Sequence, residues 1–209
     1  MPASRFRAVA FDLLTALMDS WSLWIDVAGE EALGRAWRRA SLRRVTTARV
    51  YRPYEEIVAE ATAEVGLPGS AAKRLLERWE AGELRPWPET VEVLAMLRGW
   101  PTIVVTNCSQ RLAEAAARTT GHSFDHIVSA EKAGIYKTRP EAYRAGLAAL
   151  GNPSPAEVLF VAGSAHDVPG AGAVGMPVYW SNRFGEAVPA GAPAPLMNEP
   201  NLLALFGLL

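Results

Sequence analysis

Phe6-Arg7-Ala8-Val9-Ala10-Phe11-Asp12-Leu13-Leu14-Thr15-Ala16-Leu17 is the stretch on which the fold turns. Its run of Val, Ala and Phe reads as a strand buried on both faces, the mark of a parallel sheet between helices. The run stops on Asp12, a carboxylate that packing does not require. Ligands of open α/β sheets gather beyond the carboxyl ends of the strands, and this order sets Asp12 there. A plain structural role stays open beside that one, because an Asp at this place can cap the next element by accepting backbone N–H bonds.

Downstream of Leu17 the pattern turns helical as far as about Leu84, with no strand signal. Ser20 is a candidate N-cap, and Trp21, Trp24, Ile25 and Ala28 follow helical spacing as one apolar face. Arg35 to Arg52 holds seven arginines and no acid. Drawn as a helix, Arg35, Arg38, Arg39, Arg43 and Arg49 share a sector about 140° wide, most simply a solvated face. Two further helices are expected over Glu55 to Val65 and Ala71 to Glu83. Past the proline-flanked Arg85-Pro86-Trp87-Pro88-Glu89 the chain alternates helix and strand. Helices are expected over Glu89 to Arg98, Leu112 to Thr119, Glu141 to Leu150 and Val168 to Val174. Strands are expected at Thr102 to Val105, Phe124 to Ser129, Val158 to Val161 and, last, Pro177 to Trp180. That alternation implies βαβ units. The expected fold is α/β, a Rossmann-like parallel sheet with helices on both faces plus an inserted all-helical cap. Residues 1–16 and 88–209 form the core domain and residues 17–87 the cap domain. Ala187 to Pro195 reads as loop.

The composition limits the function. In 209 residues, 21 basic side chains meet 22 acidic ones, for a formal net charge of −1. A dedicated nucleic-acid binder carries a large positive excess, so that class is excluded. The single cysteine allows no intrachain disulfide, which fits a reducing cytoplasm. Met1-Pro2-Ala3-Ser4 leads into the first strand with no signal-peptide pattern. The apolar stretch from Asn201 to Leu209 is far short of the roughly 20 residues of a membrane helix and is expected to dock on the core. The expected partner is a small anionic substrate, with no nucleic acid and no membrane. A homodimer is left open.

Four strand ends offer polar groups that converge if the strands are neighbours: Asp12, Thr106-Asn107, the segment before Lys137, and Ser164 with Asp167. A carboxylate nucleophile needs a cation to keep it ionised, a role open to Lys137. An anionic substrate needs donors, which Thr106 and the backbone N–H groups of Leu13 and Leu14 can supply. Asp167 can place or deprotonate a water. Other signals are weaker. Gly170-Ala171-Gly172-Ala173-Val174-Gly175 matches a dinucleotide pattern but ends a helix rather than opening one, which favours close packing. Ser164, His166 and Asp167 suggest a triad, yet adjacency in sequence does not give triad geometry. Three scattered histidines with no cysteine pair make no zinc site. Cys108 reads as a small buried hydrophobe, and Trp21 and Trp24 are candidate walls of a cleft.

The set FDLLTALMDS, VVTNCSQ, YKTRPEAY and FVAGSAHDVPGAGAVGMPVYWSNR resembles the haloacid dehalogenase superfamily in motif order and spacing, most closely its L-2-haloacid dehalogenase branch. The resemblance implies Asp12 as nucleophile, Thr106 as ligand of the substrate anion, Lys137 as the cation on Asp12, and Asp167 as the acid of the fourth motif. It also implies a cap arginine for the leaving halide. Ala36-Trp37-Arg38-Arg39 is similar to the Trp-Arg pair of that branch, which points to Arg38, with Arg39 in reserve. Phosphatases of the superfamily carry a second Asp two residues past the nucleophile, to protonate the leaving alkoxide. Leu14 stands there and donates no proton, whereas a halide needs none. The implied reaction is hydrolysis of a small 2-haloacid to a 2-hydroxy acid through an aspartyl ester, with no cofactor and no metal. The alternatives are a phosphatase with Mg2+ on Asp12, Asp167 and the Leu14 carbonyl, and a weakly catalytic relative that binds small carboxylates. The family's Gly-Thr after the nucleophile is here Thr15-Ala16, so its hydroxyl is lost unless Thr15 takes its place. Ala162 and Ser164 stand where the branch carries Ser and Asn, and Lys137 is followed by Thr138-Arg139-Pro140.

Overall fold

Ala8–Phe11 (β1) is buried throughout, and the computed structural model sets it in the middle of the sheet. Residues 5–209 are described; Met1-Pro2-Ala3-Ser4, read above for a signal pattern, lies outside them. A π-helical turn, Leu13–Leu17, leads to Met18–Asp19 (β2). Four helices follow: Ser20–Ala28 (α1), Glu31–Thr47 (α2), Tyr54–Glu64 (α3) and Gly69–Arg78 (α4). Arg85–Pro86 (β3) brings the chain back to Thr90–Met96 (α5), Thr102–Thr106 (β4) and Gln110–Thr119 (α6). Then come His126–Ser129 (β5), Ala130–Ala133 (α7), Pro140–Ala149 (α8) and Val158–Ala162 (β6). Asp167–Ala173 (α9), Val178–Ser181 (β7) and Met197–Glu199 (β8) complete the sheet.

The strand order is β5-β4-β1-β6-β7-β8, and each neighbouring pair is parallel. Phe11 stands level with Val104 on one side and Val161 on the other. Because β1 lies between β4 and β6, the order reverses at β1, and its carboxyl end opens on the crevice where such sheets hold ligands. Side chains alternate across the sheet. Ala8 and Ala10 pack with Tyr143, Leu147 and Val168 of α8 and α9, while Val9 and Phe11 pack with Val93, Leu112 and Ala116 of α5 and α6. The second cluster runs without a break into the helical insert through Trp24, Trp37, Ile57 and Trp79, and takes in Leu202 and Leu205 of the tail. No helix among the described residues is long and apolar enough to cross a membrane.

The local reading needs several corrections. Met18–Asp19 and Arg85–Pro86 pair antiparallel at the neck of the insert, where no strand was expected, because two residues are too few to show alternation. The cap of α1 is Asp19, which accepts from Ser22 N at 3.2 Å, and Ser20 is the first helical residue. The buried face of α1 is Leu23, Trp24 and Val27, so Trp21, Ile25 and Ala28 are only half-buried. Helix α2 ends at Thr47, which leaves Arg49 off its basic face. β7 is not the last strand, because Met197–Glu199 adds an edge strand whose polar Asn198 and Glu199 hide it from a hydrophobic pattern.

Gly34 shows how tightly the insert is built. A Cβ there would lie 2.4 Å from Ile25 Cα, on the backbone of α1. Ala exceeds Gly in helix propensity by about 1 kcal/mol, yet overpacking against backbone costs about 1–3 kcal/mol. Gly34→Ala is therefore expected to lower unfolding stability by about 1–2 kcal/mol in urea titration. A gain of stability would show that the two helices are free to separate.

Candidate active site

The turn after β1 closes on Asp12, whose extended backbone sets the carboxylate over the start of the turn. Oδ2 accepts from Thr15 N at 2.8 Å, Thr15 Oγ1 at 2.7 Å and Ala16 N at 3.0 Å. Oδ1 accepts from Lys137 Nζ at 2.8 Å. One oxygen thus serves as a cap, and the other faces a cation. Lys137 Nζ also donates to Asp167 Oδ2 at 3.1 Å, and Tyr143 Oη donates to Asp167 Oδ1 at 2.7 Å. Asp12 (4% exposed), Lys137 (2%) and Asp167 (4%) are all buried, so water does little to screen them.

Burial pushes the Asp12 carboxyl up, but the Lys137 ammonium, its hydrogen bond and the Thr15 donors outweigh that and hold it below the usual carboxylate range. Asp167 goes the other way. Burial and the neighbouring Asp12 charge raise it, against the opposing pull of Lys137 and Tyr143. Lys137 would be lowered by burial, yet its two carboxylates raise it, so it stays charged. The site holds two similar carboxyls whose affinities for a proton are driven apart.

Carbonyls along the turn are satisfied from behind. Leu14 O accepts from Ser20 Oγ, Thr15 O from Trp87 Nε1 at 3.0 Å, Ala16 O from Arg183 Nη2 at 3.3 Å and Leu17 O from Thr90 Oγ1 at 2.8 Å. Gly163, just past β6, presses on the same turn. A Cβ there would fall 2.1 Å from Ala16 N. The Asn107 amide donates from Nδ2 to Lys137 O at 2.9 Å and accepts from Lys137 N at 2.7 Å, which fixes the backbone that carries the ammonium.

These groups form the floor of a cleft of about 560 Å³ between core and insert. Its roof includes Arg38, 1% exposed, whose guanidinium carbon lies 4.8 Å from the Trp21 ring centroid and 5.9 Å from that of Trp24. Arg38 Nε has no hydrogen-bond partner, and Arg38 has no carboxylate within ion-pair distance among the described residues. A buried guanidinium of this kind lacks the partner that a buried charge requires, and an anion in the cleft could supply it.

A family model of haloacid dehalogenase-like hydrolases matches residues 7–175, well over half of the chain. The chain belongs to that family of hydrolases. Haloacetate dehalogenase H-2 of Moraxella sp. (strain B) is 29% identical, with 98% of each chain covered. (S)-2-haloacid dehalogenase 4A of Burkholderia cepacia is also 29% identical, over 95% of this chain and 92% of that one. The solved L-2-haloacid dehalogenase RSc1362 superposes with a TM-score of 0.84 at 29% identity, over 97% of both chains.

In this hydrolase the cleft gathers Asp12, Leu14, Asn107, Lys137, Ser164 and Asp167 with Arg38 and Arg39. Leu13 and Thr106, expected as substrate ligands, do not line it. Leu13 is fully buried in the core, and among the described residues the Thr106 hydroxyl has only the Cys108 sulfur as a hydrogen-bonding partner, at 4.0 Å. Of the two candidate walls, Trp21 lines the cleft, whereas Trp24 packs on Trp37 with ring centroids 4.6 Å apart. The Asn107 amide is spent on Lys137. Tyr143 was not singled out as a site residue, although a buried Tyr six residues past Lys137 demands a hydroxyl partner. Phe184, on the loop after β7, also lines the cleft and meets Trp21 edge to face at 6.0 Å. No triad forms, because Asp167 pairs with Lys137 and Tyr143 and the exposed His166 ring is left aside. Gly170 belongs to packing, since a Cβ there would meet Tyr143 Oη at 2.5 Å. Burial holds the Cys108 thiol protonated.

The donor set does not fit a magnesium ion. Lys137 lies between the two carboxylates, Oδ2 of Asp12 is filled by three donors, and the Leu14 carbonyl is taken by Ser20. Among the described residues no cluster of three or more His, Cys, Asp or Glu is placed to hold a metal.

Lys137→Met removes the cation between two buried carboxylates and is expected to cost about 3–5 kcal/mol of stability at neutral pH. Without the ammonium both carboxyls rise, so the folded state binds more protons than the unfolded one and stability falls with rising pH. The deficit against the parent protein should therefore shrink as pH falls, as read by urea unfolding at several pH values. A deficit that does not change with pH would mean that Lys137 only fills space.

Proposed function

We propose that this hydrolase displaces halide from small 2-haloacids, with Asp12 as nucleophile and no metal. The observation that carries the reading is a buried guanidinium without a counter-ion, Arg38, in the same cleft as a carboxylate held ionised by Lys137. The names of the relatives support it, as does Leu14, an apolar side chain at the place where a phosphatase needs a proton donor.

Asp12 Oδ1, with one hydrogen bond against three on Oδ2, attacks C2 of the acid in line. The C–halogen bond breaks, halide leaves with the electron pair, and Arg38, with Arg39 at the rim, supplies positive charge to the anions. The product of this step is an ester through Oδ1, so Oδ2 becomes its carbonyl oxygen. Asp167 then takes a proton from water, and the hydroxide adds to Cγ of Asp12. Negative charge develops on Oδ2, where Thr15 N, Thr15 Oγ1 and Ala16 N already form an oxyanion hole. Collapse breaks the Cγ–Oδ1 bond: Oδ1 departs on C2 as an alkoxide that takes the proton from Asp167, and the oxygen of the water stays on Asp12 to restore its carboxylate. That step returns a 2-hydroxy acid of inverted configuration. Tyr143 and Lys137 orient Asp167, and Thr15 supplies the hydroxyl that its neighbour Ala16 lacks. The proposed compartment is a reducing cytoplasm, in keeping with one buried thiol.

Incubation with 2-chloropropionate is expected to release chloride at a rate unchanged by chelator, and Asp12→Asn to lose turnover by at least about 10³-fold. Phosphate-ester hydrolysis that depends on magnesium, with no chloride release, would overturn the reading.

The two carboxyls give a pH signature. Asp12 must be ionised to attack and its pKa is lowered, so chloride release in a single turnover is expected to fail only in strong acid. Asp167 must be ionised to accept a proton from water and its pKa is raised, so ester hydrolysis is expected to slow at a higher pH. Between the two limbs the ester should accumulate, which rapid quench with intact-protein mass measures. Coincident limbs, or limbs in the reverse order, would contradict these roles.

A further inference from the structure

The two backbone N–H groups that meet Asp12 Oδ2 are the far ends of peptide units whose carbonyls are themselves hydrogen-bonded. Thr15 N belongs to the peptide whose carbonyl is Leu14 O, and that oxygen accepts from Ser20 Oγ. Ala16 N belongs to the peptide whose carbonyl is Thr15 O, which accepts from Trp87 Nε1 at 3.0 Å. A donor on a carbonyl draws electron density toward the oxygen and strengthens the N–H at the other end of the same peptide. Neither Ser20 nor Trp87 lines the cleft. Both stand at the neck of the insert, Ser20 as the first residue of α1 and Trp87 directly after β3, and the antiparallel pairing of β2 with β3 sets their segments side by side. Trp87 is clamped in turn. The Arg183 guanidinium lies over its ring at 4.5 Å and is paired with Glu89 at 2.5 Å.

We propose that Ser20 and Trp87 are positioning residues for hydrolysis of the Asp12 ester, acting through the two peptides that donate to Oδ2. The proposal rests on the dehalogenase reading above. It separates the two chemical steps. In the first step Asp12 spends its charge on C2, so stronger donors on Oδ2 stabilise the starting carboxylate and do not speed the attack. In the second step the neutral ester oxygen Oδ2 becomes an oxyanion, and the same donors gain strength as the charge forms. Polarised peptides therefore favour hydrolysis over alkylation.

The test uses Trp87→Phe, which keeps a ring for Arg183 and removes the N–H, and Ser20→Ala, each with 2-chloropropionate. Each variant is expected to lose about threefold in kcat, and the double variant about tenfold. The chloride burst and kcat/KM, which end at C–Cl cleavage, should hold, and the ester should accumulate by intact-protein mass. Parallel falls in kcat and kcat/KM, or no fall in kcat, would overturn the proposal. Absence of chloride release by the parent protein would instead sink the dehalogenase reading. The relay is then read without substrate, by 13C titration of the Asp12 carboxyl assigned with Asp12→Asn. Weaker donors on the charged form must move that titration to higher pH in both variants, and an unmoved titration rules the relay out.

Discussion

A single ammonium, on Lys137, holds two buried carboxylates apart in charge and together in space. Taking an isolated carboxylate out of water costs several kcal/mol, and this site buries two of them with one cation. The trio carries a net charge of −1, which can be borne only because other donors are already aimed at it: three on Asp12 Oδ2 and the Tyr143 hydroxyl on Asp167. The same asymmetry divides the work. The carboxyl with more donors is held ionised, and the other, raised by burial and by the charge of Asp12, holds a proton more readily, a division that suits the proposed roles of nucleophile and base.

That arrangement requires a backbone that brings N–H groups onto a side chain three or four residues back, which is what the π-helical turn does. Such a turn is poorly bonded within itself, and here the deficit is made good from outside. Ser20, Trp87, Arg183 and Thr90 each donate to one of its carbonyls, and Gly163 leaves room for the turn to lie directly on β6. Three of those donors sit at the neck of the insert or just beyond it. The helical insert thus contributes more than a roof over the cleft, because its points of attachment also support the turn that holds Asp12.

Much of this was legible in the sequence because it is periodic or terminal. A buried apolar run that stops on an acid marks a strand end, so Asp12 could be found; Asp167 follows its strand by five residues, and the strand–helix alternation placed both strands in one sheet. Side-chain direction was less legible. Thr106 and Asn107 are neighbours at the end of β4, and only Asn107 reaches the cleft; Leu13 and Leu14 divide in the same way. Tyr143 was hidden for a different reason. It lies on the first turn of α8, where its ring reads as core, and only its hydroxyl betrays a partner. The neck strands and β8 are two or three residues long, too short for any pattern to mark.

Thr15 shows how the family's support can survive a change of sequence. The family resemblance implies a small Gly and then a hydroxyl, and here the hydroxyl comes one residue earlier. Because the turn wraps back on Asp12, Thr15 N and Thr15 Oγ1 reach the same carboxylate oxygen at 2.8 and 2.7 Å, while Ala16 still offers its N–H at 3.0 Å. Oδ2 therefore keeps three donors although the residue that supplies the hydroxyl has moved. The fourth motif shows no such rescue, since Ala162 has no polar group to offer and the Ser164 hydroxyl accepts from His166 N at 3.3 Å. The oxygens of Asp12 are thus more fully supported than the space in which the proposed mechanism places its hydrolytic water. In the proposed mechanism the step after ester formation therefore rests more heavily on Asp167, Tyr143 and the donors of the turn.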